Sequence, residues 1–273
     1  MIAQVKSEIR TRLTNARKQL AELGPERETS MDQLVYLTKI ATDYQRLVSF
    51  ALSANHGADE AFDGRPRLRI APAIVSRMKK FSDDMAIYGA TYAFRDSKPA
   101  LAQLLSPAAS GSDEEVEHAK IPGHASSFDS RKMEDHEDLM ELLPPARDLP
   151  LPRSKGINKW LQQVFRGNRG FELGTFNPSI LGTTMKQQCA KWSDISLGFV
   201  SDVIILVHTF INAALDVICV DRVVRDSLQN RLLEDLIERY RTALARTTFL
   251  LEVEQGDIPI TMNHYFNDNL QRW

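Results

Sequence analysis

Residues Pro178 to Val220 read PSILGTTMKQQCAKWSDISLGFVSDVIILVHTFINAALDVICV, and this stretch decides the fold class. Met185, Cys189, Trp192, Phe199, Val203, Val207, Phe210, Ala214 and Ile218 recur at intervals of three, four or seven, the apolar stripe of a helix. After Pro178 no proline interrupts the run. Read as one helix it spans roughly forty residues, about 60 Å at the standard rise. Globular helices are usually far shorter, so this length implies an elongated bundle. Its most apolar window, Leu197 to Val220, contains Asp202, His208, Asn212 and Asp216, which argues against a membrane span.

The flanking segments repeat the pattern. Downstream, Val223 to Glu254 carries Leu228, Leu232, Leu236, Tyr240, Leu244 and Leu251, and Gly256-Asp257-Ile258-Pro259 ends it. Upstream, Val5 to Leu23 is an amphipathic helix with Ile9, Leu13, Ala16, Leu20 and Leu23 on one face, stopped by Gly24-Pro25. A second helix opens near Ser30 or Asp32, runs through Leu34, Leu37, Ile40, Tyr44, Leu47 and Ala51, and fades at Asn55-His56-Gly57. A third runs from Ile70 to Tyr88 with Ile70, Ile74, Met78, Phe81, Met85 and Tyr88 on one face. Its Pro72 sits in the first turn, where proline is tolerated. Strand signals are almost absent. The expected fold is all-α, an elongated antiparallel helical bundle.

The region 106–153 differs in composition. It holds six prolines and the acids Asp113, Glu114, Glu115, Glu117, Glu134, Asp135, Glu137, Asp138 and Glu141. It reads as a mobile acidic loop or insertion, with a short helix around Met133 to Leu143. The net charge of −2 points to no nucleic-acid partner. The cysteines, Cys189 and Cys219, fall in one expected helix about 45 Å apart, too far to pair, and read as core thiols. The N-terminus has no signal-peptide core, and a cytoplasmic location is expected.

Between the first helical turns of Trp160, Leu161 and Val164 and the long run lies Arg166-Gly167-Asn168-Arg169-Gly170-Phe171-Glu172-Leu173-Gly174. Its glycines permit sharp turning, and Phe171 and Leu173 are carried among charges. That combination reads as an assembly contact, with Trp160, Phe176 and Trp192 anchoring the loop in the core. No catalytic constellation stands against this reading. A phosphate loop, a dinucleotide fingerprint and the His-Glu-x-x-His or Cys-x-x-Cys metal spacings are all missing from the sequence. His118, His124 and His136 read as exposed residues of the acidic segment, and His208 as a half-buried core residue.

Several segments resemble the stalk, or middle, region of dynamin-like large GTPases, in particular the Mx-like fungal branch. ARKQLAELGPER (Ala16 to Arg27) resembles that family's broken helix. INKWLQQVFRGNRGFELGTFNP (Ile157 to Pro178) is similar to its Arg-Gly-x-Glu-Leu loop, although the proline usual after Leu173 is missing. KQQCAKW (Lys186 to Trp192) and PITMNHYFNDNLQ (Pro259 to Gln271), with Asn263, His264, Tyr265 and Phe266, match two further segments. The resemblance covers nearly all of residues 1–273 except 106–153. It implies a four-helix stalk that self-associates into filaments, with Arg169 to Gly174 in a stalk–stalk contact. It also implies that GTP and magnesium belong to a GTPase domain which this chain lacks, so that no cofactor, metal site or enzymatic activity is expected in it. The partners implied are other stalks, a C-terminal effector helix and a full-length relative. The alternatives left open are a fragment of a larger GTPase and a stand-alone regulator of such a relative. Membrane remodelling is a family activity, with location at the membrane periphery, but the acidic segment 106–153 does not favour an anionic bilayer.

Overall fold

A computed structural model describes residues 2–93, 138–145, 147–153, 155–167 and 179–256. They form seven α-helices: α1 Ile2–Leu23, α2 Ser30–Leu52, α3 Ile70–Tyr88, α4 Ile157–Gly167, α5 Ser179–Gln188, α6 Trp192–Ile218 and α7 Arg222–Gly256. Among the described residues there is no strand, only an isolated bridge between Tyr92 and Arg153. The protein is all-α. It divides into two compact units, Met1–Val75 with Ile205–Glu238, and Ser76–Ile204 with Arg239–Trp273.

In the first unit the helix boundaries follow from local chemistry. α1 stops where Gly24 takes φ +77°, a conformation glycine adopts without strain, and Pro25 cannot continue the ladder. α2 opens on a capping box: the Thr29 hydroxyl accepts from the Asp32 amide, and the Asp32 carboxylate accepts from Thr29. Leu47 and Ala51 of α2 meet Phe62 and Leu68 from the short 3₁₀ turns, Ile70 of α3, and Phe210 and Ala214 of α6. Burying each of the large side chains contributes about 1.5–3 kcal/mol.

The second unit has its own centre, Ile87 and Tyr88 of α3, Leu149 and Ile195, flanked by Phe81 and Met85. The acidic segment 106–153 is described only from residue 138 onward, and position 146 is left out. There Leu139, Leu143 and Leu149 are buried, and the amides of Leu142 and Leu143 close a turn onto the Leu139 carbonyl. The remainder of the expected Met133–Leu143 helix lies outside the described residues.

Two expectations need correction. The helix expected to run unbroken from Pro178 to Val220 is two helices, α5 and α6, separated by a turn at Cys189, Ala190 and Lys191. The carbonyls that end α5 have been drawn to partners outside it: Gln187 and Gln188 accept from Thr91, and Cys189 accepts from the Gln255 side chain. Neither cysteine therefore lies within a helix. Cys189 sits in the turn and Cys219 just beyond α6, and both are free thiols. Their expected place in one helix is the second correction. The apolar stripe of α1 forms as expected, and Val5, Ile9, Leu13, Leu20 and Leu23 are all exposed.

α6 is the opposite case. From Trp192 to Leu215 no residue is fully exposed, and Ile195, Ile204, Ile205, Phe210, Ala214 and Leu215 are buried. A helix apolar all round belongs inside a core or a bilayer. By length and composition α6 is the one described helix that meets the requirement for crossing a membrane.

Candidate functional site

The segment KQQCAKW, which the sequence marks out, lies at the turn between α5 and α6. Three other pieces of the second unit converge on it. Thr91 donates its amide to the Gln188 carbonyl (3.0 Å) and its hydroxyl to the Gln187 carbonyl (2.7 Å). The buried Gln188 carboxamide spans the backbone of Tyr92, accepting from its amide at 3.1 Å and donating to its carbonyl at 2.5 Å. Lys191 donates to the carbonyls of Ala90 (3.0 Å) and Pro150 (2.6 Å). Gln255, at the end of α7, donates to the Cys189 carbonyl at 3.0 Å. At about 1 kcal/mol for a typical net hydrogen bond, the set matters collectively rather than singly.

α4 leans on the same construction. Ile157, Trp160, Leu161 and Val164 form its inward face at helical spacing, and α4 packs against α5. The Trp160 ring stacks on Tyr92 at 4.7 Å and donates Nε1–H to the Gln187 side chain at 3.0 Å. Arg153 covers Tyr92, its guanidinium 5.6 Å from the ring centre, and exchanges backbone hydrogen bonds with Thr91 and Ala93. Trp192, the first residue of α6, places its Nε1 3.4 Å from the point where a Cβ on Gly89 would lie.

Trp160 and Trp192 were expected in the core, but both are half-buried. Trp160 packs on a half-buried tyrosine, and its polar edge is satisfied by a glutamine at the molecule's margin, so it pins α4 to the joint. Of the expected assembly loop, Arg166 and Gly167 end α4 and are exposed. Arg169, Gly170, Phe171, Glu172, Leu173, Gly174 and Phe176 lie outside the described residues, as do Asn263, His264, Tyr265 and Phe266.

A second polar arrangement escaped the sequence reading. Arg77 of α3 and Asp202 of α6, both buried, form an ion pair through Nε. Asp84 stands 4.0 Å from Arg77 Nη1 and is held by Lys80 at 2.9 Å. Phe199 packs between Phe81 (4.7 Å) and the Arg77 guanidinium (5.4 Å). The only signal in the sequence was Asp202 in the most apolar window, and its partner lies 125 positions away.

The electrostatics do not activate a nucleophile. Burial raises the Cys189 thiol above its ordinary range. Burial and then Asp221 raise Cys219, partly offset by Arg225 and Arg27. Lys191 is lowered by burial and by Arg153. His208 is buried outright rather than half-buried. A groove of about 490 Å³ in the first unit is lined by Leu23, Tyr36, Lys39, Asp43, Ile218 and Val220 among others. Among the described residues no three His, Cys, Asp or Glu side chains come together in a way that could hold a metal ion.

No family model matches the chain, and neither a curated protein nor a solved structure matches it.

Proposed function

We propose that this protein is a non-catalytic self-assembly module, the stalk of a dynamin-like protein, with its helices arranged as an elongated antiparallel bundle. The observation that carries the reading is the amount of apolar surface left uncovered in regular helices. Ile9 and Leu20 of α1, Met31 and Leu34 of α2, and Val223 and Phe249 of α7 are each more than half exposed. Stripes of this kind mark surfaces that other protein covers. The sequence resemblance adds the loop from Arg166 to Gly174, in which Phe171 and Leu173 supply apolar contact while Arg169 and Glu172 set register. The self-association it mediates is the step that, in full-length relatives of this kind, couples GTP hydrolysis to membrane remodelling or target capture.

Replacing Phe171 and Leu173 together by aspartate lowers the oligomer mass measured by light scattering at matched concentration, with far-UV circular dichroism unchanged. An unchanged mass overturns the loop's part in the reading. Small-angle scattering checks the elongated shape separately.

A further inference from the structure

The turn between α5 and α6 is made of residues that have no local reason to leave a helix. Gln187, Gln188, Ala190 and Lys191 are good helix formers, and neither glycine nor proline occurs between Lys186 and Trp192. The same residues sit inside the continuous apolar stripe that reads as one helix from Pro178 to Val220. The turn is held instead from outside, by Thr91 and Tyr92, by the Ala90 and Pro150 carbonyls on Lys191, and by Gln255. Within the turn the one local backbone bond runs from the Trp192 amide to the Cys189 carbonyl (3.0 Å). Among the described residues the amides of Ala190 and Lys191 donate to no backbone carbonyl, whereas Cys189 still bonds back to Met185.

We infer that the α5–α6 turn is a two-position joint. Its bent form is imposed by the Gln188–Lys191 clasp, and its straight form is a continuous helix in which Ala190 and Lys191 recover carbonyl partners four residues back. The two forms exchange side-chain hydrogen bonds for backbone ones, so their energies lie close enough for a partner to bias them. Because α4 packs on α5 and is tied to it by the Trp160 Nε1–H to Gln187 hydrogen bond, the α4–α5 pair swings as one body and the Trp160–Tyr92 stack parts when the clasp opens. Anything that engages 90–93, 150–153 or the end of α7 acts on the same joint.

Hydrogen exchange of the full chain separates this from simple loosening. In the double variant Gln188→Ala, Lys191→Ala, the amides of Ala190 and Lys191 become protected, exchanging at least about tenfold more slowly than in the parent. Adding Ala190→Gly, which disfavours the straight helix, returns the balance toward the bent form by about fivefold. Exchange that is unchanged or faster at these amides overturns the proposal, because the bend would then be local or the variant merely frayed. Should the double variant fail to fold, Lys191→Ala alone moves the same two amides in the same direction, and acceleration there has the same consequence.

Discussion

α1 and α6 carry the same kind of apolar periodicity and end up in opposite surroundings. No residue of α6 from Trp192 to Leu215 is fully exposed, and its stripe is buried or half-buried throughout, whereas every large apolar side chain described on α1 faces solvent. Periodicity therefore states that a helix has a face to bury, and says nothing about what covers it. α6 has its cover within this chain. α1 presents a narrow seam with spacing close to that of a coiled coil, which fits a helix whose cover comes from another molecule or another segment.

The largest effect that would break the comparison is removal of the charge pair that α6 buries. Asp202→Ala leaves the Arg77 guanidinium buried opposite Phe199 without its hydrogen-bonded carboxylate and with only Asp84 at 4.0 Å, at a cost of about 3 kcal/mol. Chemical denaturation reads it directly, and a loss below about 1 kcal/mol would mean that water reaches Arg77 and α6 is less enclosed than described. A smaller effect follows at the start of the same helix. At Gly89 an added Cβ runs into the Met85 backbone carbonyl and comes to 3.4 Å from Trp192 Nε1. Backbone cannot yield as a side-chain tip does, so Gly89→Ala costs about 1–3 kcal/mol. A neutral result would show that the α3 terminus is free to shift.

These sites also show where the sequence was legible. These ends of helices were, because each depends on neighbours in the chain: Gly24-Pro25 after α1, the opening of α2 near Ser30 or Asp32, and Pro72 in the first turn of α3. The start of α4 was legible too, from Trp160, Leu161 and Val164. The break at Cys189 was not, because its causes are Thr91, Pro150 and Gln255, all remote in sequence and invisible to periodicity. Nothing in the sequence around Arg77 signals its role, because its partner Asp202 is 125 positions away. The expected assembly loop was singled out from its glycines, its apolar residues and the resemblance; of it the described residues reach only Arg166 and Gly167, at the end of α4.

A third test lies just past α6, where Asp221 pairs with Arg27, four residues after α1, at 3.1 Å and caps α7 through the amides of Val223 and Val224. Burial alone would raise this carboxyl. The Arg27 hydrogen bond and the two amides outweigh it and hold the group below its ordinary value of 3.8. A carboxylate depressed in the folded state contributes its full stabilisation above that ordinary value and loses it as the pH falls through the folded one. Asp221→Asn keeps the cap but removes the charge opposite Arg27, and costs about 0.5–1 kcal/mol near neutral pH. The gap between variant and parent closes in acid, below the ordinary carboxylate range. A gap that persists unchanged there would assign the effect to packing rather than to charge.

The smallest expected effect is the most telling for α1. Leu13→Lys places a charge in the middle of the exposed stripe, between Ile9 and Leu20. In a folded chain whose α1 stripe has no cover, the substitution falls within about 0.5 kcal/mol of neutral, as surface changes do. A buried leucine would instead lose several kcal/mol, because both the apolar contacts and the desolvation of the ammonium count against it. Thermal denaturation at low protein concentration distinguishes the two. If stability holds while concentration-dependent association weakens, the stripe is an assembly surface of the same class as the one proposed for Phe171 and Leu173. If stability collapses in the dilute protein, α1 is covered within its own chain, and its contrast with α6 disappears.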